Sequence, residues 1–241
     1  MTALFVSDLH LDASRPAATE CFLRFLDGPA RDAGTLYILG DLFEAWTGDD
    51  TAGPHELKIL SALGRYTTAG SQCLFLRGNR DFLVGARFAA ATGTALLQDE
   101  TLIELDGQRA LLMHGDTLCT DDLAYQRYRR FVHRPLVQAL YLGLPARFRS
   151  GIATYARRRS TAANAGKPAA IMDVNPATVA DAMCRHGVHL LIHGHTHRPA
   201  VHALEVDGQA ARRVVLGAWY EQGSVLHWTS AGPELRKLAF A

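Results

Sequence analysis

The chain has little with which to build a disulfide framework or cross a bilayer. Its 241 residues include four cysteines, Cys21, Cys73, Cys119 and Cys184, far apart and with no Cys-x-x-Cys pair. That spacing excludes a zinc knuckle and predicts reduced, packed thiols. The longest uncharged stretch of the basic central region, Pro135 to Ala146, has twelve residues including a glutamine, a glycine and two prolines. It is too short to span hydrocarbon. No charged-then-apolar leader precedes the first motif, so the protein is expected to stay in the cytoplasm. Also missing are a Gly-x-Ser-x-Gly elbow, a Gly-x-x-x-x-Gly-Lys phosphate loop, and a cysteine in a recognisable local signature with histidine. Nucleophile-elbow hydrolases and P-loop chemistry are thereby set aside.

Net charge is small, +1, yet it is unevenly spread. Residues 121 to 167 hold ten Lys/Arg against Asp121 and Asp122, or +8, while the remainder has fifteen bases against twenty-two acids, or −7. A block of one sign reads as a surface for anionic partners. Within it, from Asp122 to Lys167, no strand pattern occurs. Tyr125, Tyr128, Phe131, Val132, Leu136, Leu140, Leu144, Phe148, Ile152 and Tyr155 fall instead at helical spacing among arginines. This predicts a helical cap, 122–167, inserted into a core of 1–121 and 168–241. One face suits phosphate and the other suits hydrocarbon.

The core alternates strand-like and helix-like runs. Helices are expected near Ala17–Ala33, Pro54–Thr68, Phe82–Thr92 and Pro176–His186, the last opened by Asn175 as cap and a proline in the first turn. Hairpins are expected about Asp106-Gly107, between Thr101–Leu105 and Gln108–Met113, and about Asp207-Gly208, between Ala200–Val206 and Ala210–Leu216. The predicted fold is α/β, with two stacked mixed sheets and helices outside.

Five motifs follow apolar runs: Asp8-Leu9-His10, Gly40-Asp41, Gly78-Asn79-Arg80-Asp81, His114-Gly115-Asp116 and Gly194-His195-Thr196-His197. Each falls where a buried strand ends, and strand ends can converge on one sheet edge. In Asp8-x-His10 and His195-x-His197 an extended backbone points both side chains the same way. With Asp41, Asn79 and His114 they make seven carboxylate, amide and imidazole ligands and no thiolate. Such a set suits Mn²⁺, Fe²⁺, Zn²⁺ or Mg²⁺. Seven ligands exceed one tetrahedral zinc and fit two ions sharing one carboxylate, for which Asp41 is the natural bridge, as in phosphoryl displacement. Gly40, Gly78, Gly115 and Gly194 permit sharp turns beside these ligands. Asp49, Asp50, Asp81, Asp116 and Glu44 are expected to orient ligands or cap turns, and Phe43 and Trp46 to pack in the core in preference to stacking on a nucleobase.

These motifs, in this order over residues 4 to 220, resemble the calcineurin-like metallophosphoesterases. Arg80 stands where the wider family carries a histidine, so a proton-donor role is not transferred to that position. Gly78-Asn79-Arg80-Asp81, Gly40-Asp41-Leu42-Phe43-Glu44-Ala45-Trp46, Leu118-Cys119-Thr120-Asp121-Asp122, Ile171-Met172-Asp173-Val174-Asn175 and His193-Gly194-His195-Thr196-His197-Arg198-Pro199 are similar to one branch, the UDP-2,3-diacylglucosamine diphosphatases of lipid A biosynthesis. The resemblance implies a Mn²⁺-dependent hydrolase releasing UMP and 2,3-diacylglucosamine 1-phosphate by attack of water on the α-phosphorus. It implies two Mn²⁺ ions, one on Asp8, His10, Asp41 and His197, the other on Asp41, Asn79, His114 and His195. Asp41, Asn79, Arg80, His114 and His195 would be the catalytic set. Substrate would meet Asn79, Arg80, Asp122, Ser160, Asn164, Lys167 and His195, with Arg157 and Arg158 as further contacts. The spacing of Ser160, Asn164 and Lys167 lines one helix face.

As partners, the reading expects UDP-2,3-diacylglucosamine and an anionic membrane surface, met peripherally at the cytoplasmic face of a Gram-negative inner membrane. It expects no nucleic acid and no required protein partner. The alternatives are a phosphoesterase for soluble substrates, disfavoured by the amphipathic cap, and a non-catalytic scaffold, disfavoured because all seven ligand positions are filled.

Overall fold

The computed structural model describes residues 2–164 and 171–240. In chain order it runs β1 (Ala3–Val6), α1 (Pro16–Asp27), β2 (Thr35–Leu39), α2 (Pro54–Thr68), β3 (Gln72–Leu76), α3 (Ala86–Thr92), β4 (Ala95–Leu96), β5 (Glu100–Leu105) and β6 (Gln108–Met113). Three consecutive helices follow, α4 (Leu123–Val132), α5 (Pro135–Leu142) and α6 (Ala146–Asn164), then α7 (Pro176–His186), β7 (Leu190–His193), β8 (Ala200–Val206), β9 (Gln209–Val215), β10 (Gly223–Thr229) and β11 (Gly232–Leu238).

The strands form two mixed sheets, ordered β11-β10-β1-β2-β3-β4 and β5-β6-β7-β9-β8. Strands β1, β2 and β3 are parallel, as are β6, β7 and β9. Both faces of the central strands are buried, which is why they read as continuous apolar runs. In β1, Leu4 and Val6 pack with Phe22, Phe25, Ile59, Leu63 and Phe88 beneath α1, α2 and α3. The alternate residues Ala3 and Phe5 face Leu112, Ile192 and Val214 of the second sheet. In β6 the same period places Ala110 and Leu112 between the sheets and Leu111 and Met113 against Val179, Ala182 and Met183 of α7. The result is a four-layer helix–sheet–sheet–helix stack, and the C-terminal ends of β1, β2 and β3 lie beside those of β6 and β7.

Several elements depart from the sequence reading. The first helix stops at Asp27, where Gly28 leaves helical backbone, and a separate 3₁₀ turn covers Pro29–Asp32. The third helix starts at Ala86, four residues later than the apolar pattern suggests. There the Asp49 carboxylate accepts from the N–H groups of Gly85, Arg87 and Phe88 and so fixes where the helix begins. The β10–β11 hairpin has no counterpart in the reading, whose last strand ends at Leu216.

The region between Asp122 and Asn164 is helical, and among its described residues α4 and α5 bury no side chain. Leu123, Tyr128, Phe131, Leu136, Leu140, Leu142, Leu144, Phe148, Ile152 and Tyr155 are all exposed. The apolar stripe therefore faces solvent instead of the core. Part of the arginine excess fastens these helices down: Arg129 pairs with Asp116 at 2.6 Å and Asp99 at 3.0 Å, Arg149 with Asp50, and Arg157 with Glu44 at 3.3 Å. No helix among the described residues is long and apolar enough to cross a membrane.

Candidate active site

Each of the five motifs stands directly after its strand: Asp8 after β1, Asp41 after β2, Asn79 after β3, His114 after β6 and His195 after β7. Turning sharply enough to aim these side chains at one point forces unusual backbone. Asp8, His10, Asp41, His195 and His197 have φ between 48° and 69°, and outside glycine the other positive φ values among the described residues belong to the hairpin residues Asp106 and Asp207. Asp and His tolerate this left-handed region better than most residues, and its cost is held by the surrounding hydrogen bonds. Asp8 N–H donates to the Gly40 carbonyl at 3.1 Å and His10 N–H to the Asp41 carbonyl at 2.9 Å, zipping the first two turns together.

The side chains converge in two groups. Asp8, His10 and His197 bring donor atoms together on one side, and Asp8, Asp41 and His114 on the other, each group within 4.8 Å. His197 Nε2 is 3.3 Å from Asp8 Oδ1 and 3.3 Å from His10 Nε2. Asp41 divides its carboxylate, with Oδ2 lying 3.8 Å from His10 Nε2 and Oδ1 3.7 Å from His114 Nε2. Asn79 Oδ1 lies 3.0 Å from both His114 Nε2 and His195 Nδ1. All seven residues named from the motifs thus meet at one rim.

The ring atoms are aimed by their other contacts. His114 Nδ1–H donates to the Leu39 carbonyl at 2.9 Å, leaving Nε2 turned toward Asp41 and Asn79. Asp8 Oδ2 accepts from Ser7 Oγ at 2.7 Å and His195 N–H at 2.8 Å. Its Oδ1 is buried without any hydrogen bond. An orphaned, fully buried carboxylate oxygen facing imidazole nitrogens is an arrangement that a divalent cation satisfies, and the oxygen and nitrogen donor set is that of a hard or borderline ion. The charge balance agrees. Burial alone would lower the His114 pKa, yet Asp41 and Asp8 raise it to about 9. Burial, with the charge of His114, lowers His195 to about 4.

Around this group the acidic residues orient and cap. Asp81 accepts from the N–H groups of Gly78, Asp41 and Leu42 at 2.8, 3.2 and 2.8 Å, holding two ligand loops to each other. Its own pKa rises to about 6 through burial and the neighbouring Asp41. Asp116 accepts from Tyr125 Oη at 2.7 Å and Arg129 Nε at 2.6 Å. Phe43 and Trp46 stack on each other in the core with centroids 4.7 Å apart, and Trp46 Nε1–H donates to Asp49 at 3.0 Å.

The substrate contacts named from the resemblance are less uniformly gathered. Arg80 is half-buried at the rim, its backbone N–H donating to Asp41 Oδ1 at 2.8 Å. Asp122 caps α4 by accepting from Tyr125 N–H at 3.0 Å. Arg157 reaches Glu44 across the site mouth, whereas Arg158 and Ser160 are exposed on α6. Asn164 ends that helix, and Lys167 lies outside the described residues. Two residues escaped the sequence reading. Tyr220 stacks on His10 at 5.4 Å and 6°, with the Arg15 guanidinium 5.1 Å from its ring centre. The Trp219 N–H to Asp8 carbonyl bond at 3.0 Å carries Tyr220 there, a long-range pairing that leaves no local signal.

Strand-end ligands on a double sheet define a metallophosphoesterase, and the chain belongs to the calcineurin-like phosphoesterase family, whose profile matches residues 1–199. It is a hydrolase of that family with groups able to hold divalent metal. More narrowly, it is 54% identical over 240 residues to a protein of Klebsiella pneumoniae named UDP-2,3-diacylglucosamine hydrolase, with 100% of each chain covered. Proteins of the same name from Serratia proteamaculans and Escherichia coli strain K12 / DH10B are 53% and 52% identical over the same full span.

Proposed function

We propose that this chain hydrolyses the pyrophosphate of UDP-2,3-diacylglucosamine, giving UMP and 2,3-diacylglucosamine 1-phosphate. The observation that carries the reading is the meeting of Asp8, His10, Asp41, Asn79, His114, His195 and His197 at one rim beneath a basic, apolar-faced set of helices. Full-length identity to relatives bearing that substrate's name supports it.

Two Mn²⁺ ions are the proposed cofactors, one held by Asp8, His10, Asp41 and His197, the other by Asp41, Asn79, His114 and His195. The divided carboxylate of Asp41 supports its place between them. Bound by these residues, divalent ions would supply charge neutralisation for the pyrophosphate and activation of water near neutral pH. Water attacks the α-phosphorus, the bond from that phosphorus to the bridging oxygen breaks, and the bridging oxygen leaves on the lipid phosphate. Arg80 supplies a fixed positive charge and a planar fork for phosphate oxygens. It does not give up a proton at neutral pH, and a phosphate leaving group does not need one. The catalytic set is Asp41, Asn79, Arg80, His114 and His195.

The helices from Leu123 to Asn164 form the proposed substrate cap. Asp122, Arg157, Arg158, Ser160, Asn164 and Lys167 join Asn79, Arg80 and His195 in holding the headgroup, and the exposed leucines and aromatics cover hydrocarbon. The same face attaches peripherally to an anionic bilayer, the cytoplasmic side of the inner membrane, where each nearby Lys or Arg contributes ~1 kcal/mol. Incubating metal-free protein with substrate, Mn²⁺ and ¹⁸O water tests substrate, metal and site of attack together. Label on UMP is the expected result, and label on the lipid phosphate overturns attack at the α-phosphorus.

A further inference from the structure

Glu44 sits between two parts of the molecule that the reaction needs together. Its Oε2 lies 3.3 Å from His10 Nδ1, the ring nitrogen turned away from the ligand cluster, and 3.8 Å from Arg15 Nη2. Its Oε1 lies 3.3 Å from Arg157 Nη1 on α6. His10 is almost wholly buried, and its Nδ1 makes no completed hydrogen bond. Glu44 Oε2 stands within hydrogen-bonding distance of that nitrogen, and rotation of the carboxylate would align it. The guanidinium groups of Arg15 and Arg157 flank the carboxylate, one on each oxygen.

Ligand histidines are commonly steered by a carboxylate on the far ring nitrogen, and removing that partner weakens metal affinity by about tenfold to hundredfold. Here the steering carboxylate has a second oxygen committed to the helices above. When His10 is drawn onto a cation through Nε2, its Nδ1–H becomes a stronger donor and pulls Oε2 into line. The other oxygen then turns with it, against an arginine whose side chain is two-thirds covered.

We propose that Glu44 is a positioning residue that couples metal loading to the seating of α6, through His10 on one oxygen and Arg157 on the other. The proposal rests on the metal-dependent reading above and adds to it a link between the cation and the cap.

The test uses full-length metal-free protein titrated with Mn²⁺, reading affinity by calorimetry and amide exchange of residues 146–160 with and without the ion. Wild type is expected to bind and to gain protection along α6. Glu44→Gln, which keeps side-chain volume, is expected to lose about tenfold to hundredfold in affinity and to lose the metal-induced protection. Arg157→Ala is expected to lose that protection while affinity falls less than about threefold, and Arg157→Lys to restore part of it. A loss of less than about threefold in Glu44→Gln, or wild-type protection in Arg157→Ala, overturns the coupling while leaving the proposed reaction standing. Failure of wild type to bind divalent ions overturns both. If Glu44→Gln does not fold, the exchange arm on Arg157→Ala decides alone, because that side chain is a third exposed and its removal leaves no buried void.

Discussion

Gly78 lies so close to Asp41 that a methyl group built on it would overlap the Asp41 carboxylate and backbone nitrogen. The third ligand turn therefore presses directly on the second, and the absence of a side chain at Gly78 sets how near Asn79 comes to Asp41. Gly78→Ala is expected to cut turnover about a hundredfold or more, because displacing catalytic groups by about an ångström costs that much. Gly151→Ala on α6, where nothing lies within 4 Å, is the control. It is expected to stabilise the helix by about 0.5–1 kcal/mol, read by thermal unfolding.

Arg149 is 2% exposed while its partner Asp50 is 47% exposed, and Arg149 also donates to the Thr47 carbonyl at 2.8 Å. The two ends of this pair should respond differently. Asp50→Ala leaves a covered guanidinium short of an acceptor, an unsatisfied group that costs about 1–3 kcal/mol. Arg149→Met leaves a carboxylate that water reaches. Urea denaturation is expected to rank Asp50→Ala as the more damaging change. Equal losses would mean that the guanidinium's packing, and not its charge, holds α6 down.

Trp46 is 4% exposed, stacked on Phe43, and bonded to the carboxylate that caps α3. Trp46→Phe is expected to lower stability by about 1 kcal/mol through the lost hydrogen bond and to leave KM unchanged. A raised KM at unchanged stability would move Trp46 from the core to the nucleotide.

Burial pushes the thiols of Cys73 and Cys119 up to about 12, and Cys21 is also raised by burial. Cys184 is exposed on α7, its thiol 3.2 Å from Asp207. Cys184 is raised too, by its hydrogen bond to Asp207, so access to the reagent and not thiolate content separates it from the three buried thiols. Ellman titration of native protein at pH 8 is expected to count one thiol, with the other three appearing on unfolding. Two or more fast thiols would contradict the packing.

Leu136 and Leu140 are 72% and 67% exposed on α5. Replacing both by serine is expected to change stability by no more than about 0.5 kcal/mol. Sedimentation with anionic vesicles at low salt should fall several-fold. Undiminished pelleting would count against these leucines as part of the proposed membrane-facing surface.

What could be read in advance followed from local chemistry. Pro54 and Pro176 mark the starts of α2 and α7, and Asn175 accepts from the N–H groups of Ala177 and Thr178, so those helices match the reading end to end. Asp106-Gly107 and Asp207-Gly208 take the positive φ values of tight hairpin turns and place β5, β6, β8 and β9 within a residue. The seven residues that meet at the rim were legible because each follows a strand. Tyr220, Arg129 and Arg149 were not legible in the roles they take, and Glu44, expected to orient ligands or cap turns, was legible beside His10 but not in its reach to Arg157. Each of these contacts joins residues between 13 and 210 positions apart, or lies on a face whose direction only the packed helices determine. The arginine block shows the difference most plainly, since its composition pointed to an anionic ligand while three of its members are held by Asp99, Asp116, Asp50 and Glu44 of the core.

The left-handed backbone at Asp8, His10, Asp41, His195 and His197 sets the proposed metal centre against robustness. Glycine would settle into any of those five turns with less torsional tension, of order 1 kcal/mol at each. A glycine at the partly open His197 would relieve that tension and remove an imidazole of the proposed metal centre. Selecting variants of this protein for thermal endurance alone would therefore tend to erode that centre.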